Sequence, residues 1–131
     1  MIKKLFIVLL VAAAVAVCCI PYWASTMAEK AFANPNDPMS PEMVNKAINI
    51  KKMTYFFGEA RLIAEKATIY FPDSKYMPDY MYSAAMCAEQ DKRPDVAIIW
   101  YQRFVDKYPS HAWTDQAKRK LEVLKGMNEA Q

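Results

Sequence analysis

From Leu5 to Ile20 the chain carries no charged side chain, whereas beyond Pro41 apolar residues recur at helical spacing among polar ones. Val44, Ala47, Ile48 and Lys51 share one helical face, with Ser40 placed as an N-cap, Pro41 at the first helical position and Glu42 in the first turn. Lys51 can lay its methylenes along that seam and send its ammonium to solvent. A second helix groups Ala60, Ile63, Ala64 and Ala67 on one side and stops at Pro72. The stretch Met53–Gly58 between them reads either as a turn or as part of one continuous helix. From Tyr80 to Pro109 two more amphipathic helices are joined by the polar turn Gln90-Asp91-Lys92-Arg93 and closed by proline. There Ala84, Ala85, Ala88 and Ala97 are small while Tyr101, Phe104 and Tyr108 are bulky, as a tightly packed antiparallel pair requires. Trp113, Ala117, Leu121 and Leu124 form a last stripe, with Gly126 as its expected C-cap.

Shifting the chain by 37 positions exposes an internal repeat. Ala60 falls on Ala97, Ile63 on Trp100, Ala67 on Phe104, Phe71 on Tyr108, Pro72 on Pro109 and Pro41 on Pro78. The pattern predicts stacked units of two helices, closed by a final helix with a polar outer face.

Small residues at Ala85 and Ala97, then Tyr101, Phe104 and Pro109, reproduce the spacing of a tetratricopeptide repeat. The wording from Ala97 to His111 resembles the bacterial envelope branch of that family, which includes Tol-Pal coordinator proteins and BamD-type outer-membrane assembly lipoproteins. Met81 departs from the family's usual tryptophan, Ala85 from its glycine and Ala88 from its tyrosine. The resemblance implies a scaffold without chemistry of its own, whose first helix in each unit lines a concave binding side. The family's groove positions fall on Asn45, Asn49 and Lys52 in one unit and on Tyr82, Met86 and Glu89 in the next, a mixed surface suited to a peptide or helix.

Met1-Ile-Lys-Lys followed by the apolar run has the form of a membrane-targeting segment. Leu5 to Ile20 makes roughly 24 Å of helix against a hydrocarbon core of about 30 Å, and Ile2 with Pro21–Ala24 completes a span. Lipidation is disfavoured because Val17 precedes Cys18, whereas lipoproteins need a small residue there. Cleavage sites of the small-x-small kind end at Ala28 and Ala33. Retention as an anchor is the favoured fate, with Lys3 and Lys4 cytoplasmic and the rest outside.

Of the 17 Lys+Arg and 14 Asp+Glu in the 131 residues, 14 and 13 remain from residue 34 onward, so no basic footprint for nucleic acid exists. Only two glycines occur, which excludes a glycine-rich phosphate loop and favours helix over strand. Cys87 stands apart from Cys18 and Cys19 and reads as a buried packing thiol. The lone His111 sits in a turn, where a structural or solvated role is expected. The methionines at positions 77, 81 and 86 fit core or groove packing better than a soft-metal site.

The expectation is an all-α protein. Residues 1–28 form a signal-anchor or transmembrane segment, 29–40 a linker, 41–77 and 78–114 two tetratricopeptide-like units, and 115–131 a closing helix and tail. Its structural repeat positions are Ala60, Ala67, Pro72, Ala85, Ala97, Tyr101, Phe104 and Pro109. No catalytic residue, metal, cofactor or small-molecule substrate is expected. Partners are the membrane, through residues 2–24, and other protein subunits of a membrane or envelope assembly. The expected location is the bacterial inner membrane with the repeats in the periplasm. Alternatives are a self-assembling structural protein, an adaptor released by signal cleavage, or a cofactor-free subunit of a redox complex.

Overall fold

Proline and acidic residues open the helices where the missing N–H costs little and the helix dipole favours negative charge. Pro41, Pro78 and Pro94 occupy first turns, together with Glu42, Asp79 and Asp95. A computed structural model describes residues 1–130, among which there are six helices and no strand. They are α1 (Ile2–Ala33), α2 (Ser40–Met53), α3 (Phe57–Tyr70), α4 (Met77–Gln90), α5 (Pro94–Lys107) and α6 (Thr114–Glu129). The architecture is all-α, an apolar N-terminal helix followed by a short array of helical hairpins.

The 37-residue period holds in three dimensions. α2, α4 and α6 begin at residues 40, 77 and 114, and α1, α3 and α5 end at 33, 70 and 107. The turns repeat bond for bond: the N–H groups of Asp37 and Ser40 donate to the carbonyls of Asn34 and Asp37, as do Ser74 and Met77 to Phe71 and Ser74, and His111 and Thr114 to Tyr108 and His111. Each helix packs on its neighbours in sequence, with α2 also touching α4 across units. That is the one-dimensional stacking of a solenoid.

Close approach depends on alanine. Ala60, Ala64 and Ala67 of α3, Ala84, Ala85 and Ala88 of α4, and Ala97 of α5 are fully buried, and Tyr80, Tyr101 and Phe104 fill the remaining volume. Pro72 and Pro109 are exposed in the turns that follow α3 and α5.

Five sequence expectations change. Residues 29–33, assigned to a linker, are the last turn of α1, and residues 34–39 form a tight turn rather than an extended strap. Ala24, Ala28, Ala31 and Phe32 of α1 are buried in the same core as α2 and α3, so this end of the leader is a packing helix. Ser40 is the first residue of α2 rather than its cap, and its hydroxyl donates to the Asn34 carbonyl at 2.7 Å. Lys51 is 3 % exposed, because its ammonium pairs with Glu59 and lies 5.3 Å from the Phe56 ring centre instead of reaching solvent. Gly126 lies inside α6 in ordinary helical backbone, so it caps nothing.

Met53–Gly58 contains a turn. Tyr55 has φ 64° and Lys92, 37 residues on, has φ 57°. At both places the two N–H groups after the helix fold back on its last carbonyls, Tyr55 to Lys52 and Phe56 to Lys51, then Lys92 to Glu89 and Arg93 to Ala88. This is the Schellman arrangement, whose left-handed residue is normally glycine. A side chain there costs roughly 1–2 kcal/mol. Lys92→Gly should therefore stabilise the domain by about 1 kcal/mol, read as a higher urea midpoint with an unchanged slope; a lower midpoint would show that the turn is unstrained.

Tyr80 ties α4 to the start of α2, its phenol donating to the Pro41 carbonyl at 2.6 Å. Burial pushes its ionisation from 10.0 up to about 12. The unfolded chain releases this proton first, so the stabilisation is complete below about pH 10 and is lost as the pH rises toward 12. The loss should be about 3 kcal/mol. Urea unfolding between roughly pH 9 and 12 checks it, and Tyr80→Phe should reduce the slope by that share, leaving the contributions of the buried Tyr101 and Cys87.

Candidate functional site

The first helices of successive units, α2, α4 and α6, line one side of the array. Between them lies a groove of about 310 Å³ whose wall includes Asn49 and Lys52 from α2 and Tyr82, Met86 and Glu89 from α4. Five of the six positions picked out in the sequence thus meet in one concavity. Asn45 does not line it; its Oδ1 is buried without a hydrogen-bond partner.

The far wall consists of Trp113, Gln116 and Lys120 at the start of α6, which the sequence reading assigned only to closure. The signal for two of them was present. Asp79 and Ser83 also line the groove, and adding 37 to their positions reaches Gln116 and Lys120.

The groove's polar groups are partly spent on holding its shape. Glu89 accepts from the Tyr101 phenol at 3.0 Å and from Lys120 Nζ at 2.9 Å, clamping α4 to α5 and α6. Burial, reinforced by the Glu89 charge, holds the Tyr101 phenol far above its usual ionisation range. Lys52 Nζ donates to Ser83 Oγ at 3.2 Å, bridging α2 and α4. Asn49 and Gln116 are exposed and keep free amide donors and acceptors. The floor is apolar through Met86 and the Trp113 ring.

Tyr82 differs most from expectation. Instead of standing outward, its ring packs 5.6 Å from Tyr101, 5.4 Å from Phe104 and 5.1 Å from Trp113. Burial raises its phenol ionisation. Tyr82 is therefore first a support for the groove floor, and replacing it by serine would cost stability as well as contact area.

His111 joins the same cluster, 4.9 Å from Trp113 and 5.3 Å from Phe104, and its Nδ1 accepts from the Trp113 N–H at 3.1 Å. Cys87 is fully buried, which pushes its thiol up to about 11 and leaves it poorly nucleophilic. Among the described residues no three His, Cys, Asp or Glu side chains gather as a metal site would need.

No family model, curated protein or solved structure matches the chain. What the site can do follows from its geometry. A channel with an apolar floor, amides on its rims, and the Lys52 and Lys120 ammoniums and Asp79 and Glu89 carboxylates on its walls is suited to an extended or helical peptide segment.

α1 supplies the other functional surface. It contains an 18-residue window of mean hydropathy 2.7, none of it buried against the protein. Such a helix is long and apolar enough to cross a membrane or to serve as a signal sequence. It continues through Pro21 without interruption, and the hydroxyls of Ser25 and Thr26 donate to the Pro21 and Tyr22 carbonyls.

Proposed function

We propose that this chain is a non-catalytic scaffold of the tetratricopeptide kind, held in the bacterial inner membrane by α1, with its helical hairpins in the periplasm. There it serves as an accessory subunit that docks a segment of another protein in the groove of α2, α4 and α6. The observation that carries the reading is the groove itself, assembled from equivalent positions of consecutive units and floored by Met86 and Trp113. Lys3 and Lys4 before the apolar run favour a cytoplasmic N-terminus.

Retention of α1 is supported by the burial of Ala24, Ala28, Ala31 and Phe32. Cleavage after Ala33 would remove all four from the core, and cleavage after Ala28 would strip two. An adaptor released from the membrane would start its life with an uncovered α2.

Affinity purification in mild detergent tests the docking. The tagged full chain should recover a stoichiometric partner. Asn49→Ala combined with Met86→Ser should weaken that recovery about tenfold, the size of one good interface contact. Both positions lie outside the fully buried core, so helicity should persist. Equal recovery by the double variant would move the partner surface elsewhere, and a partner-free particle of several copies would favour self-assembly.

A further inference from the structure

We propose that the turn between α2 and α3 is a second membrane contact, in which Met53, Tyr55 and Phe56 enter the lipid–water interface beside Tyr22 and Trp23, so that the array rests on the bilayer instead of hanging from it. The inference rests on α1 being a retained anchor and goes beyond that reading by fixing how the domain meets the lipid.

The geometry comes from the cleft between α1 and α3. It is lined by Ser25, Ala28 and Phe32 of α1 and by Glu59, Leu62 and Lys66 of α3. The Phe32 ring centre lies 4.5 Å from the Lys66 ammonium and 5.0 Å from the Tyr70 ring centre, so Phe32 sits between these two successive turns of α3. α1 and α3 are each antiparallel to α2 through short turns, so they run parallel to one another, with their ends at residues 33 and 70. Toward the membrane, this register sets Tyr55 and Phe56 within about one helical turn of Pro21 and Tyr22. On α1, no charge occurs from Leu5 to Ala28, and Leu5 to Trp23 makes roughly 28 Å of helix, close to the hydrocarbon thickness. Tyr22 and Trp23 therefore mark the outer interface, where amphipathic aromatics concentrate. The α2–α3 turn stands within about one helical turn of that height.

Composition distinguishes this turn from its copy. Met53 is 80 % and Tyr55 81 % exposed, although neither is needed for the turn itself. The equivalent α4–α5 turn has the same hydrogen bonds and the same left-handed residue, yet it carries Gln90, Lys92 and Arg93 at these places. Only the turn next to the membrane helix is apolar and aromatic. An apolar patch on the membrane side of the array is covered most directly by the lipid itself.

Collision-accessibility electron paramagnetic resonance on the full chain tests this. The exposed Cys18 and Cys19 are changed to alanine, and buried Cys87 stays unlabelled. Nitroxides are then attached separately through Tyr55→Cys, Trp23→Cys and Ile69→Cys, in vesicles of phosphatidylethanolamine and phosphatidylglycerol. The label at position 55 should match that at 23, open to oxygen and closed to an aqueous nickel chelate. The label at 69, at the far end of α3 and 77 % exposed, should show the reverse. If 23 reports lipid while 55 reports water like 69, the docking is wrong and the anchor stands. If 23 also reports water, the anchor fails and the docking with it. If 55 is closed to both reagents, a second copy or another protein covers the turn, and the lipid contact is refuted.

Discussion

Replacing Phe104 by alanine should cost the domain about 3–5 kcal/mol, most of the stability available to an array of this size. Phe104 is fully buried on α5, with ring centres 5.4 Å from Tyr82 on α4, 5.5 Å from Tyr108, 5.3 Å from His111 and 6.5 Å from Trp113. Rings fixed on α4 and on the turn between α5 and α6 cannot close into the vacated space, so the cavity penalty adds to the lost transfer energy. The effect should be uneven. α6 packs on α5 and on no other helix to a comparable extent, so its amides should lose hydrogen-exchange protection first and the wall formed by Trp113, Gln116 and Lys120 should open. Urea unfolding and amide exchange of the variant read both consequences. A cost below about 1 kcal/mol would mean that the cluster is loosely packed.

Removing α1 as far as Ala33 should cost about 4 kcal/mol, from one phenylalanine and three alanines withdrawn from the core. A chain beginning at Trp23 lacks the apolar run but keeps all four residues, and it should unfold in a single cooperative step. One beginning at Asn34 should melt far lower or populate a state in which α2 and α3 are frayed. Matching midpoints for the two chains would show that the end of α1 merely leans on the array.

The helices and their period were legible because each unit repeats the same physical demands. Proline stands in the first turn of α2, α4 and α5, alanine at close contacts such as Ala60 and Ala97, and an aromatic against each contact. The packing role of α1 was hidden for a reason of composition. The stripe Ala24, Ala28 and Ala31 lies directly after an alanine-rich apolar run and overlaps the small-x-small pattern of a cleavage site, so one set of alanines answers to two readings.

The left-handed turns were hidden because Tyr55 and Lys92 are residues that rarely adopt that conformation. The groove was legible by position and misjudged by role. Tyr82 sits at the groove in the expected register, yet whether a half-buried tyrosine faces a ligand or a neighbouring tryptophan depends on where α6 lies, which periodicity within α4 does not encode. Lys51 shows the same limit: its face was legible, whereas the partner that lets its ammonium stay covered, Glu59, lies across a turn.

The central claim is that α1 is one uninterrupted element, lipid-embedded at one end and part of the repeat core at the other. Intact-mass measurement of the native protein extracted from membranes tests it most directly. A mass that retains the residues from Met1 through Ala33 is the expected result. A mature chain beginning at Glu29 or Asn34 would contradict it.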